Sequence, residues 1–119
     1  MSKESKDTGT KREIQLLQYK EYGIEDAPSL STLFSNERYE NQDKIADYLK
    51  KGKITVVSPQ YDMDAFTGDT ILPPQTTCLR TDGKYSWSGD LSYYVETYNA
   101  RLPKEVENWV LSHYKEIMS

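Results

Sequence analysis

Asp82-Gly83 stands between two extended runs, "TTCLRT" before it and "KYSW" after it. Of everything in the chain, this dipeptide narrows the fold most. Glycine lacks a Cβ and tolerates the positive φ of a tight turn, and the left-handed turn it makes matches the twist of paired strands. The pair therefore predicts an antiparallel hairpin. Upstream, "KITVVSP" is β-branched and apolar, which predicts a strand ended by Pro59. "YDMDAFTGD" reads as a turn region, and "TILPPQTTCLRT" as an extended segment broken at its two prolines. The expectation is a small antiparallel sheet of about three strands in the middle of the chain.

Around that sheet the apolar spacing becomes helical. Ile45, Tyr48 and Leu49 fall at i, i+3, i+4, with Asn41 placed to cap the helix and Gly52 to close it. Leu91, Tyr94, Val95 and Tyr98 form a second stripe, for which Ser88 is the expected cap and Asp90 the first-turn acid. Val106, Trp109, Val110, His113, Tyr114 and Ile117 form a third, opened by Pro103. Nearer the N-terminus, "EIQLLQYKEYG" supports a short helix on Ile14, Leu17 and Leu16, closed by Gly23; an alternating reading on Ile14, Leu16 and Gln18 stays open. One helical turn is expected at 31–34. The fold class is α+β, with N-terminal helices and two C-terminal helices packed on the sheet.

Five aromatic residues crowd residues 79–103, and most of them belong to the core. Tyr94 and Tyr98 share the stripe of Leu91 and Val95, while Tyr85 and Trp87 share one face of the last strand. Tyr93 alone falls off the stripe, so it is the aromatic expected on the surface.

Length and charge bound the rest. A chain of 119 residues suits one domain with a single core, here residues 13–119 behind a disordered tail, residues 1–12. That tail carries a charge of +2, leaving −6 on the remainder. An acidic body argues against binding nucleic-acid phosphates. The first residues have no apolar run behind their charges, and no stretch is long enough to cross a bilayer. A lone Cys78 cannot form an internal disulfide. Together these features predict a cytoplasmic protein with no membrane partner.

The chemistry is mostly exclusion. "DMDAFTGD" offers Asp62, Asp64 and Asp69, yet Phe66 and Thr67 stand where a calcium loop needs an oxygen ligand and a glycine, and Pro73 stands in place of the closing Glu. A polar turn is the better account. His113 is the only histidine and lies on an apolar stripe, so histidine triads and multi-histidine metal sites lack their members. Cys78 carries no cue for an activated thiol. No glycine-rich phosphate cradle is present. The expectation is no cofactor, no metal and no catalytic residue.

"TDGKYSW" with "LSYYVETYNARLPKE" resembles small uncharacterised bacterial proteins that carry a TDGxYxW strand followed by an LxYYVExYxxxLPxE helix pair. The matching residues are Thr81, Asp82, Gly83, Tyr85 and Trp87, then Leu91, Tyr93 to Glu96, Tyr98, Leu102, Pro103 and Glu105. The resemblance covers roughly the last third of the chain. It implies a fold and no activity, and it is compatible with accessory genes that include immunity-like inhibitors.

The sequence thus predicts a non-enzymatic interaction module, regulatory or immunity-like, whose partner is another protein. Exposed aromatics beside charge supply the candidate contacts: Tyr61 in the acidic turn, Tyr93, and Arg101 between the last two helices. A small-molecule or peptide site between sheet and helices is the alternative, and a carboxylate enzyme the third reading.

Overall fold

A computed structural model describes residues 13–119. The tail assigned to residues 1–12 lies outside the described residues. The described residues are α+β, with a four-stranded mixed sheet and three α-helices. The strands are β1 (Ile14–Gln15), β2 (Lys53–Tyr61), β3 (Thr76–Thr81) and β4 (Tyr85–Ser88), in the spatial order β1-β4-β3-β2. The helices are α1 (Gln42–Lys51), α2 (Leu91–Tyr98) and α3 (Lys104–Met118). None of the described helices is long and apolar enough to cross a membrane.

The hairpin forms as its turn dictates. Gly83 has φ 96°, and the Asp82 carboxylate accepts the Lys84 and Tyr85 amides at 2.9 and 2.8 Å. β3 and β4 then pair antiparallel, Leu79 opposite Ser88 and Arg80 opposite Trp87. β2 pairs antiparallel with β3 and does not stop at Pro59. It runs on to Tyr61, because a register shift between Val57 and Tyr61 lets the ladder skip positions around the proline; a second shift lies between Ile54 and Val56.

The fourth strand is the main departure from the sequence reading. Ile14 and Gln15 form a short parallel pair with Tyr85 and Ser86, where a helix was expected. The Ile14 amide donates to the Lys84 carbonyl and the Leu16 amide to the Ser86 carbonyl. Pairing with the free edge of β4 satisfies backbone groups that an isolated short helix would leave to water. Only the end of the segment coils, as a 3-10 turn at Lys20–Tyr22 closed by Gly23 at φ 94°. The single turn expected at 31–34 is a 3-10 turn at Leu30–Leu33.

The first stripe is buried throughout, the second except for half-buried Tyr98, and the third only at Val106 and Val110, with Trp109, His113, Tyr114 and Ile117 half-buried; the caps differ. Ile45, Tyr48, Leu49, Leu91, Tyr94, Val95, Val106 and Val110 are core, packed around Trp87 and Leu30. Asn41 takes a left-handed conformation and makes no side-chain cap. The neighbouring Gln42 does more: fully buried, its amide donates to the Val95 carbonyl and to Asn99 Oδ1 on α2, and its oxygen accepts from the Tyr39 amide. Ser88 stays in β4, and Asp90 occupies the cap position of α2. Gly52 matters for room rather than conformation. A Cβ there would lie 2.5 Å from Trp87 Cζ2, the ring whose Nε1–H donates to the Leu49 carbonyl at 2.9 Å.

Candidate functional site

Three clusters of chemically capable side chains stand out, and two of them are closed by their own hydrogen bonds. The first is Asp64. Its Oδ1 accepts the Phe66 and Thr67 amides, and its Oδ2 accepts the hydroxyls of Tyr93 and Tyr98 at 2.7 and 2.6 Å. Burial raises this carboxyl, but the four hydrogen bonds outweigh that and hold it below the usual carboxylate range. The hydrogen bond to Asp64 in turn pushes the Tyr98 hydroxyl up to about 12. Phe34 stacks on Tyr98 with ring centroids 4.5 Å apart, and Phe66 meets Phe34 edge-on. With every acceptor direction of Asp64 taken, the acidic loop is fastened to α2 rather than offered to a cation.

The second cluster surrounds Asp82, in a cavity of about 530 Å³ between the hairpin and α3. Asp82 Oδ2 accepts the Tyr48 hydroxyl and, at 3.0 Å, the Trp109 indole N–H. Burial is again outweighed by these donors, so Asp82 sits below its usual range. His113 stacks on Trp109 at 3.8 Å, and its Nδ1 lies 2.9 Å from the Trp109 carbonyl. The histidine is thus held by the helix, and Trp109 is only half-buried because its outer face lines this cavity.

The third cluster remains open. β2 is an edge strand, and nearly every residue along it is exposed. Ile54, Val56, Val57 and Tyr61 each leave about half or more of their area to solvent, 59% for Val57 and 60% for Tyr61, with Met63 beside them. Register assigns Val56, Leu79 and Ser88 to one face of the sheet, opposite the Trp87 face on which the helices pack. On that outer face a cleft of about 540 Å³ opens between the strands and residues 15–24. Leu17, Ile24, Val56 and Leu79 give it apolar walls, and Asp62 and Asp90 line it as well.

These two carboxylates differ from the first pair. Asp62 is 5% exposed, and among the described residues its Oδ1 has no hydrogen-bond partner. Burial raises its carboxyl, with the Thr77 hydroxyl only partly offsetting the effect. Asp90 is raised mainly by burial too, and further by the charge of Asp62, against hydrogen bonds from Ser88 and Tyr22. The Tyr22 hydroxyl donates to Asp90 Oδ1 at 2.9 Å. Arg80, opposite Trp87 in register, donates to the Gly52 carbonyl at 2.8 Å. Cys78, also lining the cleft, has its thiol raised by burial, which disfavours the reactive thiolate.

The residues expected to bind fare unequally. Tyr61 is exposed, though it ends β2 on the sheet edge rather than standing in the acidic turn. Tyr93 is half-buried with its hydroxyl on Asp64, so falling off the apolar stripe did not leave it free. Arg101 clamps buried Glu107 through Nε and a terminal nitrogen at 3.2 and 3.0 Å, and its guanidinium covers the Tyr39 ring at 4.2 Å. It joins α3 to the loop before α1. In the sequence Asp62 reads as a turn acid and Asp90 as a first-turn acid of a helix, so neither is marked as part of a site. Only the fold brings them into one cleft. Compared with known proteins, the chain matches no protein family, no curated protein and no solved structure.

Proposed function

We propose that the chain is a non-enzymatic interaction module that takes an extended segment of another protein along β2. One observation carries the reading: a nine-residue edge strand exposes Ile54, Val56, Val57 and Tyr61 together. Edge strands present unpaired N–H and C=O groups, and proteins usually shield them. Here Pro59 and the register shift between Val57 and Tyr61 interrupt the far half, which limits self-pairing and leaves residues 53–58, bulged once between Ile54 and Val56, for a partner strand. The charge of −6 on the chain beyond residue 12 suits a basic partner. Blocking such a partner by occupancy, as a regulatory or immunity-like protein does, needs a surface and no reacting group. Asp64 and Asp82 are engaged by donors from the fold, which supports the same reading.

The test is capture from the native host, followed by purification of each captured protein and a direct titration. Val57→Lys and the double variant Val56→Lys/Tyr61→Ala should weaken the titrated complex by tenfold or more while melting within a few degrees of wild type. A purified partner that binds wild type and both variants alike would overturn the reading.

A second reading is favoured by the cavity at Asp82. Its stacked Trp109 and His113 offer a flat aromatic wall to a small molecule between sheet and helices. Quenching of Trp109 fluorescence by a metabolite library, absent in Trp109→Phe, would support it.

A further inference from the structure

We propose that the cleft on the outer face of the sheet receives a lysine or arginine side chain of the partner segment, its cationic group between Asp62 and Asp90. This rests on the reading of β2 as the docking strand and names what the partner must carry. The geometry makes the case. Asp62 is nine-tenths buried yet, among the described residues, leaves Oδ1 without any hydrogen bond, a costly state for a carboxylate unless a donor arrives. Asp90 lines the same cleft, close enough for the two charges to disfavour each other. A cation placed there relieves both the missing hydrogen bond and the repulsion.

Among the described residues, the neighbouring cations do not already supply it. Arg80 is directed to the Gly52 carbonyl at 2.8 Å, and Lys50 to the Glu96 carboxylate at 2.9 Å. The walls fit the stem of such a side chain. Leu17, Ile24, Val56 and Leu79 are apolar, and Lys and Arg bury their methylenes along apolar surface while the charged end is hydrogen-bonded. Val56 belongs both to the cleft and to β2, so one extended segment reaches both. A strand also sends alternate side chains to opposite faces, so residues of the segment that face outward can fill the cleft.

The experiment uses capped amino acids on the full chain, read by amide shifts in 15N–1H spectra. N-acetyl-lysine methylamide should shift the amides of Asp62, Leu79 and Asp90. N-acetyl-norleucine methylamide, with the same four-carbon stem and no ammonium, should bind about tenfold more weakly. Asp62→Asn and Asp90→Asn should each abolish that preference, with melting curves confirming that both fold. Equal binding of the two capped residues, or a preference that survives both substitutions, overturns the proposal. Tighter binding of free 1,5-diaminopentane than of capped lysine overturns the assignment to a partner side chain. Val57→Lys separates the two readings: it should weaken the protein complex and leave capped-lysine binding unchanged. Should capped lysine fail while Val57→Lys still weakens the complex, the cleft assignment falls and the β2 reading stands.

Discussion

Tyr98 on α2 donates its hydroxyl to Asp64 Oδ2 at 2.6 Å, joining the acidic loop to a helix 34 positions away in sequence. The Tyr93 hydroxyl arrives on the same oxygen from the previous turn of the helix. Asp64→Ala strands two tyrosine hydroxyls and two amides in a largely buried place. The expected loss is on the order of 3 kcal/mol by chemical denaturation. Asp64→Asn should lose less, since its oxygen still accepts. A loss under half a kcal/mol for Asp64→Ala would mean the loop is not fastened there.

Acid should reveal two opposed slopes. Asp64 and Asp82 are held low, so the folded chain releases their protons more readily than the unfolded one. Their contribution is complete above the ordinary Asp value of about 3.9 and is lost as pH falls through their lowered folded values. Asp62 and Asp90 are raised, so their ionisation costs stability, a cost absent in strong acid that grows as pH rises from about 3.9 through their raised values. Asp62→Asn should therefore melt higher than wild type at pH 7, and the advantage should shrink on acidification. Melting temperature against pH for the two proteins checks this. An advantage that is constant with pH contradicts it.

Trp109→Ala should cost on the order of 2–3 kcal/mol, less than the roughly 3–5 kcal/mol of a fully buried large aromatic. The ring is half-buried, with His113 stacked on it and Tyr85 meeting it edge-on. Trp109→Phe keeps much of this packing and removes only the N–H to Asp82, so it should cost about 1 kcal/mol. Urea denaturation of both variants orders them.

Gly52→Ala is the smallest change with a large expected effect. The added methyl meets Trp87 Cζ2 at 2.5 Å and Arg80 Cβ at 3.1 Å, and Trp87 cannot retreat without breaking its bond to Leu49. Overpacking of this kind costs about 1–3 kcal/mol. Gly83→Ala is strained for a different reason, its φ of 96°, with open space around it. Melting curves should rank Gly52→Ala above the ordinary surface substitution, near Gly83→Ala.

How far the sequence revealed the fold depended on whether the deciding contacts were local. The Asp82-Gly83 hairpin and the stripes of Ile45, Leu91 and Val106 rest on turn stereochemistry and helical spacing, and both act within a few residues. β1 was hidden because Ile14, Leu16 and Leu17 fit a helix or a strand, and only the vacant edge of β4 decides between them. Tyr93 was misplaced for a related reason. Its helix face predicted exposure, while Asp64, 29 positions earlier, supplied the partner. Tyr61 reads in the sequence as part of a turn, whereas pairing with Thr76 makes it the end of β2. Asp62 and Asp90 carry no local mark at all, because burial of a carboxylate is a property of the assembled cleft.

β1 has a consequence for motion. It is two exposed residues long, joined to the sheet through the Ile14 and Leu16 amides to partners some seventy positions later in the chain. Gln15 and Leu17, in and just after it, line the cleft, whose floor is the far more durable β3 and β4. This wall can therefore swing open in a sub-global fluctuation while Trp87 and its neighbours stay packed. Hydrogen exchange should find the Leu16 amide exchanging orders of magnitude faster than that of Trp87. An occupied cleft should slow the Leu16 amide and leave the Trp87 amide unchanged, making the first strand a gate whose rate reports on what lies behind it.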